Sequence, residues 1–119
     1  MHTCSFSSTL AIFSCAAALT IAGCRSLPPS KPASEWNPEE AQGAQVYQEK
    51  CARCHYPTTT AGLHGPGLQA ITKVKAMPSG APPTDERLSD VILHGRSMMP
   101  GTQLTDEQLR VLLAYVRTL

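Results

Sequence analysis

Apolar residues recur at the helical period most clearly near the end of the chain, over residues 105–119. The apolar positions there lie three or four residues apart: Leu109, Leu112, Leu113, Val116 and Leu119. At the start of this stretch, Thr105 and Gln108 have the spacing of a capping box, in which each side chain bonds the other residue's backbone N–H. The pattern predicts an amphipathic helix that begins after Thr105.

Two further helices are predicted earlier in the chain. The run Asn37-Pro38-Glu39-Glu40 combines an N-cap residue, a proline at the first helical position and a capping-box glutamate, and it predicts a helix from 38 to about 49. Thr84 can cap a second helix over 85–94, where apolar residues again fall on one face. Gly95 provides its stop signal.

The segments between these helices are rich in Pro, Gly and Thr, which predicts loops over 57–67 and 77–83. A short helix is expected within 67–76, where apolar residues reappear. No run of alternating apolar residues is long enough to indicate a sheet. The sequence therefore predicts an all-α fold of three main helices joined by loops.

The N-terminal part has the organisation of an export signal. Residues 10–21 are apolar but too short to span a bilayer comfortably, and they read as the hydrophobic core of a signal peptide over 1–23. Ile21-Ala22-Gly23-Cys24 looks like a bacterial lipobox, with cleavage before Cys24 and lipid attached to that cysteine. An ordinary signal peptide or a short uncleaved anchor are the alternatives. All three place the domain outside the cytoplasm, on the periplasmic side. By analogy, Arg25 favours the outer over the inner membrane.

Residues 24–34 contain three prolines and small polar residues, which predicts a flexible linker. The remaining residues, 35–119, are enough for one domain with a modest core. A core of this size benefits from a covalent or metal staple.

The motif Cys51-Ala52-Arg53-Cys54-His55 supplies the candidate chemistry. The C-x-x-C-H spacing fits covalent attachment of a haem through both thiols, with the histidine as an iron ligand. A thioredoxin-like redox pair would need a strand and a helix around the cysteines, and a zinc site would need two more Cys or His ligands at short spacing. Neither context is present in the sequence. The motif therefore predicts a covalently bound haem c.

The other face of the iron needs a ligand as well. Met99, which precedes Pro100 between the second and third helices, offers a thioether on a loop stiffened by proline. Met98 is the second choice, and Met77 before Pro78 repeats the same dipeptide. His64 and His94 are expected to be surface or capping residues, with His94 as the substitute if Met99 does not bind.

Four pieces of the chain, in this order, resemble the small class I c-type cytochromes of bacteria: Gly43-x-x-x-Tyr47 with the C-x-x-C-H motif, Gly65-Pro66-Gly67-Leu68, His94 to Pro100, and Leu112 to Val116. The resemblance covers nearly all of 35–119. It implies three helices packed around one covalently attached haem. It also implies that the first helix crosses the C-terminal helix, with Gly43 and Tyr47 at the contact.

The resemblance also implies roles for single residues. Cys51 and Cys54 would bond the haem, His55 would be the proximal iron ligand and Met99 the distal one. In the family, the carbonyl of the residue matching Pro66 accepts the second ring N–H of the histidine, a contact that orients metal-bound imidazoles generally. Arg96 is the candidate partner of a haem propionate through charge-assisted bonds.

A haem iron with both axial positions filled moves one electron and does no bond chemistry. The predicted protein is therefore not an enzyme but a membrane-tethered electron carrier, either free-standing or the cytochrome subunit of a dehydrogenase or terminal oxidase pathway. Its formal net charge is only +1, so charge does not identify its redox protein partners and indicates no nucleic acid. A haem-based sensor with a labile sixth ligand is the alternative, and a lipoprotein that uses the domain only for interaction is a third possibility.

Overall fold

The computed structural model describes residues 26–119. The predicted signal peptide, the lipobox and its lipid site Cys24 lie outside the described residues, together with Cys4 and Cys15. Among residues 26–119, no helix is both long enough and apolar enough to cross a membrane.

Three helices form the domain: α1 (Pro38–Lys50), α2 (Asp85–His94) and α3 (Asp106–Val116), preceded by a single 3-10 turn at Ala33–Glu35. The all-α prediction is confirmed, and each helix starts at its predicted cap. Asn37 and Glu40 form one capping box, Thr105 and Gln108 form another, and the Thr84 side chain accepts from the N–H of Arg87. The helix boundaries are thus specified by local side-chain bonds.

The main helix contact is the crossing of α1 over α3. A β-carbon at Gly43 would overlap the carbonyl oxygen of Val111 and lie 2.7 Å from Cβ of Tyr115. Only glycine permits this approach. One helical turn later, the Tyr47 ring packs against Tyr115 with 5.2 Å between ring centroids, and Trp36 packs edge-on against the same ring at 5.3 Å.

The buried side chains form two clusters that share α3. The first joins α1 to α3 and contains Tyr47, Leu112, Tyr115, Val116 and Leu119. The second contains Met77, Leu88 and Leu113, and it joins α2 and the preceding loop to α3. Adjacent positions on α3 face different clusters, so this helix contributes buried side chains to both of them.

A two-stranded hairpin follows α2, in contrast to the prediction of no sheet. Strand β1 (Gly95–Arg96) pairs antiparallel with β2 (Met99–Pro100), and Arg96 lies opposite Met99. The chain enters β1 through Gly95 at φ 79 and turns through Ser97 at φ 51. Strands of two residues leave no period-two pattern, so the sequence carried no signal for them.

The prediction of a short helix within 67–76 is wrong. These residues form turns, with single bonds from the N–H of Ile71 to Leu68 O (3.0 Å) and from the N–H of Lys73 to Ala70 O (2.8 Å). Ala70 is fully buried and adopts φ 55, in the left-handed region. One residue in that region is sufficient to interrupt a right-handed helix.

The segment before α1 packs on the domain within the range predicted as linker. The backbone N–H of Lys31 donates to Thr118 O at 2.6 Å, and the Lys31 carbonyl accepts from the Trp36 indole at 3.1 Å. The Lys31 ammonium lies 2.8 Å from a Glu40 carboxylate oxygen. Contacts of the folded unit therefore begin several residues before the predicted boundary at residue 35.

Candidate haem-binding site

A cavity of about 510 Å³ lies between the end of α1, the turns before α2, the hairpin and α3. Most of its wall is apolar, and no Asp or Glu of residues 26–119 lines it. The apolar wall residues come from separate segments of the chain: Leu68, Ile71, Leu88, Ile92, Leu112 and Val116. A concave apolar site of this volume is suited to a large flat hydrophobic group.

Both cysteines of the C-x-x-C-H motif line this cavity, at the C-terminal end of α1. The turn is closed by two bonds to the Cys51 carbonyl oxygen, from the N–H of Cys54 and from the N–H of His55, each 3.0 Å. This compact turn presents both sulfurs and the following imidazole to the same space.

The environment of the cysteines differs from that of a redox pair. Burial, with a smaller contribution from Cys54, raises the pKa of the Cys51 thiol to about 11. Redox-active C-x-x-C motifs lower the pKa of one thiol and sit at a helix N-terminus, whereas this turn follows the end of α1. Within residues 26–119, no group of three or more His, Cys, Asp or Glu side chains is arranged to hold a metal ion. The site thus lacks the features of a thioredoxin-like or zinc site.

His55 is largely buried, with 9% of its surface exposed, and its ring borders the cavity. Its Nδ1 lies 2.8 Å from the carbonyl oxygen of Pro66. Because a carbonyl oxygen only accepts, Nδ1 carries the ring proton, which leaves Nε2 as a free ligand atom. Gly65 lies against the same ring: a β-carbon there would approach Nδ1 to 2.8 Å and Nε2 to 2.9 Å.

Two thiols, an oriented imidazole and an apolar cavity are the requirements of a covalently attached haem, and the described residues fit that group. Residues 25–116 match the family model described as cytochrome c oxidase, cbb3-type, subunit III. The chain belongs to this family of c-type cytochromes. The cytochrome is also similar to the crystal structure of the c-type cytochrome SorU from Sinorhizobium meliloti, with 26% sequence identity, coverage of 67% of this chain and 88% of that one, and a TM-score of 0.49. No curated protein matches the chain closely enough to count as a relative.

The small class I fold and the covalent haem c are therefore established for this cytochrome, and so is its general role as an electron-transfer haem protein. The prediction that it is an electron carrier agrees with this family. Bound haem supplies a one-electron couple, and the chain's own residues hold it and shape its surroundings.

The hairpin brings the candidate methionines of the cytochrome to the cavity. Met98 and Met99 both line it, but 96% of the Met98 surface is exposed whereas Met99 is partly buried. The pairing of Arg96 with Met99 fixes the backbone of Met99 beside the cavity. Met77 also borders the cavity, but it is buried in the second cluster against Leu88 and Leu113.

The charged and histidine candidates lie at different places in the cytochrome. Arg96 is the one Arg, Lys, Asp or Glu among the wall residues, and it forms no ion pair with a carboxylate of residues 26–119. His64 is exposed at the cavity. His94 does not line the cavity and instead approaches Asp90 at 3.0 Å on the exposed face of α2.

A functional contact that sequence reasoning missed is made by Tyr47. Its hydroxyl donates to the carbonyl oxygen of His55 at 2.6 Å, and its ring is fully buried. The G-x-x-x-Y pattern indicated a helix crossing only. A tyrosine in place of an equally apolar phenylalanine was the available signal, because a buried hydroxyl needs a hydrogen-bond partner.

Proposed function

We propose that this cytochrome passes single electrons between extracytoplasmic redox proteins, with His55 and Met99 as the axial ligands of its haem iron. The chain would be tethered to a membrane by lipid on Cys24. The observation that carries the ligand assignment is that His55, held by Pro66, and Met99, held by the hairpin, border one cavity together with both cysteines.

The residues of the cavity have distinct tasks in this proposal. Cys51 and Cys54 fix the haem covalently, and the Pro66 carbonyl orients the imidazole and increases its basicity as a ligand. A histidine and a methionine together occupy both axial positions, which excludes substrates from the iron and leaves electron transfer as the reaction. The methionine also raises the reduction potential relative to a second nitrogen ligand.

Arg96 is the proposed partner of a haem propionate. Among residues 26–119, Arg96 is the one Arg, Lys, Asp or Glu on a mostly apolar wall, and its guanidinium has no carboxylate partner there. A haem propionate at this edge would supply one. Charge-assisted bonds from a guanidinium to a carboxylate are among the stronger interactions in proteins, so Arg96 would fix the orientation of the haem.

The family match suggests the setting of the electron transfer. Its name refers to a subunit of a cbb3-type cytochrome c oxidase. We therefore favour a terminal oxidase pathway over a dehydrogenase pathway as the destination of the electrons. The contact with either partner would be small and short-lived, as is usual for redox proteins.

The ligand assignment is tested with optical spectra of the oxidised and reduced protein, made in a host with haem-attachment machinery. Met99→Ala should abolish the methionine-to-iron charge-transfer band of the ferric form and allow CO to bind the reduced form. Met98→Ala, at the exposed neighbour, is the matched control and should keep both properties of the wild type. If Met98→Ala alone removed the band, the assignment would move by one residue.

The same experiment separates the carrier from a sensor. A wild-type protein whose reduced spectrum does not change with CO has a closed site and is an electron carrier. Rapid CO binding by the wild type would mean a labile sixth ligand, and the sensor would then be the better description. The tether is tested separately: Cys24→Ser should move the protein from the membrane to the soluble fraction and abolish labelling by a radioactive fatty acid.

A further inference from the structure

Tyr47 holds both ends of the haem-attachment turn. Its backbone carbonyl accepts from the N–H of Cys51 at 2.8 Å and from the N–H of Ala52 at 3.0 Å, at the start of the turn. Its side-chain hydroxyl donates to the carbonyl oxygen of His55 at 2.6 Å, at the end of the turn. One residue of α1 therefore spans the whole C-x-x-C-H motif.

The His55 carbonyl depends on this hydroxyl. Within residues 26–119, no backbone or side-chain donor other than Tyr47 bonds that oxygen. Helix α1 ends at Lys50, before His55, so no backbone N–H of α1 donates to the His55 carbonyl. A buried carbonyl without a partner is strongly disfavoured, and its segment would move to find water or another donor.

The hydroxyl is well suited to act as a permanent donor. The Tyr47 ring is fully buried in the first cluster and packs against the Tyr115 ring, which restricts its movement away from His55. A phenol hydroxyl has one proton to donate, and the bond to the His55 carbonyl uses it.

The two anchors of His55 act on different parts of the same residue. Pro66 holds the ring at Nδ1, and Tyr47 holds the main chain at the carbonyl. With both in place, neither the backbone nor the imidazole can rotate without breaking a bond. Release of the backbone would let the ring drift from Pro66, although Tyr47 itself does not contact the ring nitrogen.

We infer that Tyr47 is a positioning residue for the iron ligand, and that its hydroxyl keeps His55 in the orientation in which Nδ1 bonds Pro66. This inference rests on the proposed function, because it presumes that His55 binds the iron. It assigns to the Tyr47 hydroxyl an electronic effect on the haem beyond its contribution to packing.

The test compares Tyr47→Phe with Tyr115→Phe in the full-length haem-loaded protein. Both variants remove one hydroxyl from neighbouring rings of the first cluster, but the Tyr115 hydroxyl has no hydrogen bond to the residues of 26–119. The readouts are the reduction potential, the exchange rate of the His55 Nδ1–H with solvent measured by NMR, and the free energy of unfolding.

Tyr47→Phe should shift the potential to a more positive value, since a histidine that loses its acceptor donates less electron density to the iron. It should also speed exchange of the Nδ1–H by about tenfold, the equivalent of one lost hydrogen bond. Tyr115→Phe should leave both readouts at the wild-type value. Equal potentials and exchange rates in the two variants would overturn the inference, even if both proteins lost stability.

A second measurement uses the unaltered protein and does not depend on the folding of any variant. The Tyr47 hydroxyl proton should give a slowly exchanging signal with a nuclear Overhauser contact to the backbone of the His55 segment. Rapid exchange would contradict the bond. If the wild type lacks the hyperfine-shifted signals of an axial imidazole, the proposed function and this inference both fail. If the axial imidazole signals are present but Tyr47→Phe and Tyr115→Phe have the same potential and exchange rate, the inference fails and the proposed function stands.

Discussion

The His55 ring rests directly against the backbone of Gly65, so that a β-carbon at residue 65 would stand 2.8 Å from Nδ1. Contacts between carbon and ring atoms at that distance are repulsive. The N–H of Gly65 also donates to Cys54 O at 2.8 Å, which prevents this segment from moving away from the haem-attachment turn. The position of the imidazole therefore depends on the absence of a side chain one residue before Pro66.

Gly65→Ala should displace the imidazole while leaving the covalent attachment through Cys51 and Cys54 intact. We expect a haem-bearing protein with a changed ferric spectrum and a shifted reduction potential, because the ring can no longer bond Pro66 in its present orientation. The matched control is Gly62→Ala, whose β-carbon would meet only Gly65 O at an ordinary 3.4 Å. A Gly65→Ala protein with the spectrum and potential of Gly62→Ala would contradict the prediction.

Gly43→Ala should destabilise the crossing of α1 and α3. At an exposed helical site this change would stabilise the helix by about 1 kcal/mol. Here the added methyl overlaps Val111 and Tyr115, and overpacking of this kind costs roughly 1–3 kcal/mol or more. The measurement is the free energy of unfolding in urea. Gln42→Ala, at the exposed neighbouring position, should change it little, and a stabilised Gly43→Ala protein would show that the helices can separate without cost.

Glu40 should make stability depend on pH at the acidic end. The hydrogen bond from Lys31, followed by that from the backbone of Asn37, lowers the pKa of Glu40 below its usual 4.5. A lowered pKa in the folded state contributes stability above the unfolded value, and this contribution disappears as pH falls through the folded value. Because Lys31 is 35% exposed, we expect a contribution of about 0.2–1 kcal/mol.

The test of Glu40 is the difference in unfolding free energy between the wild type and Glu40→Gln. The glutamine keeps one oxygen as an acceptor for the Asn37 N–H, but it loses the charge and one of the two oxygens that accept from the Lys31 ammonium. The difference should be present at pH 7 and vanish on acidification well below 4.5. Glu49→Gln, at an exposed position of the same helix, is the matched control variant. A difference that persists unchanged at low pH would assign the effect to packing rather than ionisation.

Removal of the haem should abolish cooperative folding. Without it the apolar walls of the 510 Å³ cavity, which include residues of both core clusters, would be open to water, and a domain of this size has few other buried side chains to compensate. A Cys51→Ala/Cys54→Ala variant shown to lack haem should melt gradually by circular dichroism and calorimetry. A sharp two-state transition with a large heat-capacity change would refute this.

The helices of the fold were predictable because their signals are local. Asn37, Thr84 and Thr105 each begin a helix through a bond to a backbone N–H within three residues, so the sequence alone contains both partners. The turn at Ala70 and the hairpin at Gly95 were not predictable in this way. Ala70 adopts its left-handed conformation where it is fully buried, and the hairpin pairs strands of only two residues, which are too short to leave a pattern in the sequence.

In the candidate site, too, the features with a local sequence signal were predictable and those that depend on packing were not. The C-x-x-C-H motif indicates haem from spacing alone, and the structure adds that its cysteines and His55 open into one apolar cavity. A buried tyrosine indicates that its hydroxyl has a hydrogen-bond partner, but the sequence does not identify that partner as the His55 carbonyl, because the choice depends on how α1 packs against α3. The packing of Lys31 on the domain was missed for a similar reason: a proline-rich composition predicts an extended chain but does not exclude that it docks.

The burial of Cys51 has a consequence for the order in which this protein is made. Its thiol packs against the cluster that α1 forms with α3, and α3 is the last of the three helices in the chain. A chain synthesised from its N-terminus exposes Cys51 before α3 can cover it. Thiol addition requires access and a reactive sulfur, and a closed domain with a free Cys51 thiol would offer little of either, because burial would raise the pKa of that thiol to about 11. We expect the attachment machinery to act on an unclosed chain, so that haem insertion and final folding are one event in the biogenesis of the protein.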